Sequence, residues 1–113
     1  MEKEILKEGT GKTPKPGDTV LAHYTGTLEN GQEFDCSRKR GAPLDFPVGE
    51  KRVIPCWDQL ILKMRVGERA VLTCPPQYAY GSRGAGGVIP PNATLKFDVE
   101  LVDIKDKPWY QFW

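Results

Sequence analysis

Hydrophobic and polar positions alternate most cleanly near the end of the chain. Leu95, Phe97, Val99 and Leu101 fall on one side, with Lys96, Asp98 and Glu100 on the other. A repeat of two is the signature of a half-buried strand. It recurs from Val20 to Leu28, where Val20, Ala22, Tyr24, Gly26 and Leu28 share one face and Leu21, His23, Thr25 and Thr27 the other. Glu29-Asn30-Gly31 follows, and Asn-Gly favours a tight hairpin turn. Gln32 to Cys36 is therefore expected as the return strand. Arg69 to Cys74 reads as another strand, and the charged opening residues around Ile5 and Leu6 as an edge strand. Residues 38–43 read as a loop or bulge. Leu44 to Val48 contains Pro47, which restricts it to an edge strand at best.

The period changes once. Trp57, Leu60, Ile61 and Met64 stand at i, i+3, i+4 and i+7, one face of a helix, with Pro55 in its first turn and Gly67 past its end. Residues 75–94 hold eight prolines and glycines, which predicts neither helix nor paired strand there. A loop of that length is usually functional. Four to six antiparallel strands with one helix to cover a sheet face make an α+β domain.

Composition narrows the function classes. The 113 residues carry 16 Lys and Arg against 15 Asp and Glu, a net charge of +1. That balance offers no electrostatic case for nucleic acid or an anionic membrane. No apolar run reaches the length of a membrane span, and Met1-Glu2-Lys3-Glu4 has no signal-peptide character. Cys36, Cys56 and Cys74 include no C-x-x-C pair, and His23 is the only histidine, so no metal or cofactor site is expected. An odd number of cysteines is a poor disulfide framework. A reduced, cytoplasmic protein is the expectation.

Covalent catalysis finds few candidates. Neither serine, Ser37 or Ser82, lies in a G-x-S-x-G elbow. His23 is expected to be a satisfied structural histidine and Cys74 a core residue, and nothing marks Cys36 as activated. Gly11-Lys12-Thr13 lacks the upstream glycine of a Walker loop, where Leu6 stands. The glycines at 81, 84, 86 and 87 precede no helix, so they cradle no phosphate. The aromatics Tyr24, Phe34, Phe46, Trp57, Tyr80 and Phe97 come from separate elements. The pattern fits a plain core and equally fits a partly open pocket for a small apolar ligand.

Six ordered motifs take the reading further. They are His23-Tyr24-Thr25-Gly26, Gly31-x-x-Phe34-Asp35-x-Ser37-Arg38, Val53-Ile54-x-x-Trp57, Tyr78-Ala79-Tyr80-Gly81, Ile89-Pro90-Pro91-x-Ala93-Thr94-Leu95, and Phe97-Asp98-Val99-Glu100-Leu101. Together they closely resemble the FKBP family, the peptidyl-prolyl cis-trans isomerases that bind the macrolides tacrolimus and rapamycin. The resemblance runs from about residue 5 to residue 104. It implies a five- to six-stranded antiparallel β-sheet wrapped around one short α-helix, with the ligand pocket between them. It implies an isomerase domain over residues 1–105, leaving an aromatic tail at 106–113. The family's pocket residues fall on Tyr24, Phe34, Asp35, Arg40, Phe46, Val53, Ile54, Trp57, Tyr80, Ile89 and Phe97. Of these, Tyr24, Phe34, Asp35, Tyr80 and Phe97 are the expected catalytic set. Phe34 and Asp35 are adjacent, so both can line one pocket only if the strand ends, curls or bulges there.

The chemistry this implies needs no nucleophile. The barrier to X-Pro rotation, roughly 20 kcal/mol, is lost amide resonance. A catalyst must favour the twisted amide over the planar one. The twisted carbonyl carries less negative charge, so an apolar pocket favours it relative to water. Lowering the barrier by about 7 kcal/mol would give roughly five decades of rate. Expected partners are proline-containing peptides and proteins, macrolide inhibitors, and protein partners reached through the 75–94 loop; a monomer is expected. The sequence departs from the family's usual residues at Leu44, Arg52, Cys56 and Ala85. A rival expectation is a non-catalytic docking module that keeps the pocket only as a remnant.

Overall fold

The computed structural model describes residues 1–105. The expectations placed on the aromatic tail, residues 106–113, lie outside the described residues. Six strands form one antiparallel sheet: β1 (Glu2–Lys7), β2 (Thr19–Leu28), β3 (Glu33–Cys36), β4 (Leu44–Pro47), β5 (Arg69–Cys74) and β6 (Leu95–Ile104). Their order is β1-β5-β6-β2-β3, and β4 also pairs with β2. The two short strands share β2 lengthwise. β4 takes Thr19 to Ala22 and β3 takes Thr25 to Thr27. Pro47 closes β4 at that edge, where a missing N–H is tolerated.

The period-two faces appear as expected. Val20, Ala22 and Tyr24 of β2, Ala70 and Leu72 of β5, and Leu95, Phe97, Val99 and Leu101 of β6 are buried on one side of the sheet. The helix α1 (Pro55–Leu60) covers that side and buries Cys56, Trp57, Asp58 and Leu60. Pro55 occupies its first turn, as the sequence suggested. The predicted helix is too long, however. After Leu60 the chain tightens to a 3-10 turn at Ile61–Lys63, and Met64 leaves in an extended conformation. Ile61 and Met64 are nonetheless fully buried, so the apolar spacing records burial rather than α-helix to its end. Each such side chain contributes about 1.5–3 kcal/mol on leaving water.

Three further expectations change. Residues 37–40 are a 3-10 turn, ended by Gly41 at φ 81°, rather than irregular loop. The 75–94 segment carries order of its own: a 3-10 turn at Pro76–Tyr78 and a bridge between Ala85 and Ile89. Its bonds are local or short in reach, such as Gly81 N–H to Pro76 O at 2.8 Å and Asn92 N–H to Gly81 O at 2.9 Å. Dense proline and glycine therefore prevents a long ladder without preventing tight turns. Cys56 and Cys74 form a disulfide across a Cα–Cα distance of 5.7 Å, tying the start of α1 to the end of β5. The odd count concealed this because Cys36 is the member left free.

Charge also anchors the sheet's edge. Lys3 Nζ donates to Glu68 Oε2 at 2.9 Å and to the Lys63 carbonyl at 2.8 Å, pinning β1 to the turn before β5. Glu68 is buried, so this pair is shielded more than a surface ion pair. Among the described residues no helix is long and apolar enough to cross a membrane, and no group of three His, Cys, Asp or Glu could hold a metal ion.

Candidate functional site

Between α1 and the concave side of the sheet lies a cavity of about 170 Å³. Tyr24, Leu44, Arg52, Val53, Ile54, Trp57, Tyr80 and Phe97 line it. Strand periodicity puts Tyr24 and Phe97 on the inner face of adjacent strands, where their residues pair one step apart through Gly26 and Val99. The first turn of α1 lowers Trp57 onto both. The Trp57 ring centroid lies 4.8 Å from Tyr24 and 5.1 Å from Phe97, each contact edge-to-face. Such ring pairs are favoured by the aromatic quadrupole beyond simple burial. Phe46 packs behind, 5.6 Å from Trp57.

Phe34 and Asp35 meet the same site because β3 bulges. Gly26 pairs with Asp35 and Thr27 with Glu33, which leaves Phe34 as the extra residue. A bulge bends the strand and re-aims its side chains. Phe34 thereby reaches Phe97, with centroids 5.6 Å apart. Gly26 makes room for it, since a Cβ there would lie 2.6 Å from the Phe34 ring. Asp35 turns to Tyr24, whose hydroxyl donates to Asp35 Oδ2 at 2.5 Å. The Arg40 guanidinium donates to Asp35 Oδ1 and, at 2.9 Å, to the Tyr24 hydroxyl. Its carbon stands 5.6 Å from the Tyr24 ring centroid.

These contacts set the charge states. Burial pushes the Tyr24 phenol up, and its bond to Asp35 adds to that. Partial burial works against ionisation of Asp35, but the hydrogen bonds from Tyr24 and Arg40 outweigh it and hold the carboxyl below its ordinary range. Burial, then the nearby Asp35 charge, pushes the Tyr80 phenol up. At neutral pH the site thus holds two neutral phenols and an ionised carboxylate already matched by arginine.

Of the expected pocket residues, Tyr24, Val53, Ile54, Trp57, Tyr80 and Phe97 line the cavity directly. Phe34, Asp35, Arg40 and Phe46 stand one contact away. Ile89 is buried against the core from the 75–94 loop and does not line the cavity. Leu44, a departure from the family's usual residue expected to soften one pocket wall, and Arg52, noted only as a departure, line it as well. No periodicity marks residues 49–54. Their placement comes from Asp58, which accepts from Gly49 N–H and Lys51 N–H at 2.8 Å each. Ser37, dismissed as a nucleophile, is buried and accepts from the Tyr24 N–H at 2.8 Å; His23 Nδ1 lies 2.8 Å from the same oxygen. It fixes the backbone of the residue whose phenol serves the site.

The cavity's free polar groups are few. The Ile54 N–H makes no hydrogen bond among the described residues, while its carbonyl accepts from Trp57 and Asp58. The Tyr80 hydroxyl likewise has no partner there. Trp57 Nε1 is buried and has no hydrogen-bond partner among the described residues. A larger groove of about 550 Å³ crosses the outer face of the sheet over Thr25, Val71, Thr73 and Asp98. It has no aromatic lining, so the small apolar cavity is the better fit to a ligand site.

The comparisons with known proteins point to one family. The family described as FKBP-type peptidyl-prolyl cis-trans isomerase matches residues 10–102. "FK506-binding protein 1" of Kluyveromyces lactis is 62% identical over 104 residues, covering 89% of this chain and 91% of that protein. "FK506-binding protein 1" of Debaryomyces hansenii is 60% identical over 102 residues, with shares of 89% and 91%. "Peptidyl-prolyl cis-trans isomerase FKBP1A" of Xenopus laevis is 51% identical over 106 residues, with shares of 93% and 98%. With the family match running from before β2 into β6, the chain belongs to the FKBP-type peptidyl-prolyl cis-trans isomerases.

Proposed function

We propose that this isomerase turns X-Pro bonds in the cavity between α1 and the sheet, and that the same cavity takes tacrolimus- or rapamycin-type macrolides. One observation supports the placement above others: an aromatic-walled hollow carries an amide N–H at Ile54 and a hydroxyl at Tyr80 that have no partner among the described residues. Trp57 supplies the floor for the pyrrolidine ring, and Tyr24, Phe46 and Phe97 the walls. The Ile54 N–H holds one substrate carbonyl and the Tyr80 hydroxyl another. Asp35, held by Tyr24 and Arg40, forms the polar side, and Phe34 supports Phe97 from behind.

Rotation then proceeds without a covalent step. Water is kept from the amide, so the planar form loses the solvation of its polar carbonyl. The twisted form, with less charge on oxygen, loses less. The difference lowers the barrier. An apolar residue before the proline suits the Leu44 and Val53 side of the cavity.

Protein partners are proposed to meet the 75–94 loop, and the chain to act as a monomer. A cytoplasmic location is proposed with them. There the Cys56–Cys74 bridge is the bond a reducing environment would open, and mass measurement of protein from blocked lysates reads its state. A prolyl-peptide isomerisation assay with and without rapamycin tests the main reading. Acceleration abolished by the macrolide is expected, whereas no rate above the uncatalysed one would favour a docking module.

A further inference from the structure

The charged groups around the cavity are not evenly matched. Asp35 is taken by Arg40 and the Tyr24 hydroxyl. Asp58 is taken by two backbone N–H groups. Arg52 lines the cavity, is exposed, and makes no ion pair or side-chain hydrogen bond among the described residues. Its backbone is held in place, since Asp58 anchors Gly49 and Lys51 on one side and Ile54 caps α1 on the other. A guanidinium thus stands at the cavity, two residues before the Ile54 N–H, and neither has a partner among the described residues.

We propose that Arg52 makes the isomerase selective for substrates with an acidic side chain just after the proline, at the next residue or the one beyond. This rests on the placement of proline over Trp57 argued above. That placement gives the preceding residue to the apolar wall and sends the following residues towards the mouth. A carboxylate arriving there meets a planar donor pair that can bind both its oxygens. A lysine meets repulsion, and an amide meets neither.

Arg52 is exposed, so the expected discrimination is modest and salt-sensitive. A single exposed pair gives roughly two- to five-fold. Exchanging Glu for Lys in the substrate changes both signs of the effect, so about tenfold is expected at low ionic strength, shrinking at high salt.

The test uses the full chain and two peptide series, Ala-Leu-Pro-X and Ala-Leu-Pro-Phe-X, with X as Glu, Gln or Lys. The readout is kcat/KM of each charged peptide relative to its Gln counterpart. In at least one series Glu should exceed Lys by about tenfold in low salt. The ratio should approach one in Arg52→Gln and invert in Arg52→Glu. Equal rates for Glu and Lys in both series overturn the proposal, as does a preference that persists in Arg52→Glu. If no Gln peptide is accelerated, the placement of catalysis in this cavity fails first, and the selectivity falls with it.

Discussion

Asp35 and Tyr80 touch little that the fold needs, which makes them useful for separating chemistry from stability. The Asp35–Arg40 pair is partly exposed on both sides, and exposed pairs add at most about 1 kcal/mol. Asp35→Val should lower kcat/KM at least about tenfold while moving unfolding free energy by less than about 1 kcal/mol. Tyr80→Phe removes a hydroxyl with no partner among the described residues, so stability should stay within about 0.5 kcal/mol while kcat/KM falls. Parallel urea melts and isomerisation rates check both, and equal losses in the two would assign these residues to packing alone. Asp35 also sets a pH dependence. Its folded carboxyl titrates below the ordinary value, so the folded state binds fewer protons than the unfolded one. Its contribution is complete above the usual carboxylate range, about pH 4, and is lost as pH falls through the lower native value. The stability gap between the parent and Asp35→Asn should therefore be flat at neutral pH and close only in acid, as denaturant melts across pH would read.

The elements show how far a sequence can be read. Strands β2, β5 and β6 announced themselves because each buries one face, and burying one face forces period two. The aromatic set was equally legible as residues, and the family motifs supplied its arrangement. An irregularity at Phe34 and Asp35 could be required from their adjacency, but whether the strand ends, curls or bulges there is an outcome of the pairing register with β2. Leu44 reaches the cavity from β4, where it pairs with Ala22, and Arg52 through the Asp58 clamp on Gly49 and Lys51, which leaves no periodic trace. The disulfide was hidden for a related reason, because spacing along the chain says nothing of α1 lying beside β5. That bridge joins residues 18 apart, and opening it should cost about 3 kcal/mol through the freedom returned to the unfolded chain. Urea midpoints of oxidised and reduced protein measure this. In the 75–94 loop, Gly84 at φ 65° would place a Cβ 2.2 Å from the Ile89 carbonyl oxygen. Gly84→Ala should break the Ala85–Ile89 bridge and destabilise by about 1–3 kcal/mol. Faster hydrogen exchange at the Ile89 amide would be its local sign.

At the scale of the whole molecule, β6 and β2 form the longest ladder, nine residue pairs between two strands that both have neighbours on their other side. Their amides should exchange slowest, and those of residues 75–94 faster, because the loop's bonds are short-range. The strand directions have a mechanical meaning as well. β5 runs antiparallel to both β1 and β6, so β1 and β6 point the same way, and Met1 and Lys105 leave from opposite ends of the sheet. Tension between those two residues runs along the strands and loads each ladder in shear, so its hydrogen bonds must fail together instead of one by one. β1 holds to β5 through only five pairs and a register shift, against six pairs between β5 and β6. It is the strand that slips first, and the Lys3 contacts with Glu68 and Lys63 are its latch. Under load the unfolding rate, rather than equilibrium stability, decides the outcome. Lys3→Met should therefore lower the force of the first event in single-molecule stretching while leaving the later rupture of β6 from β2 where it was.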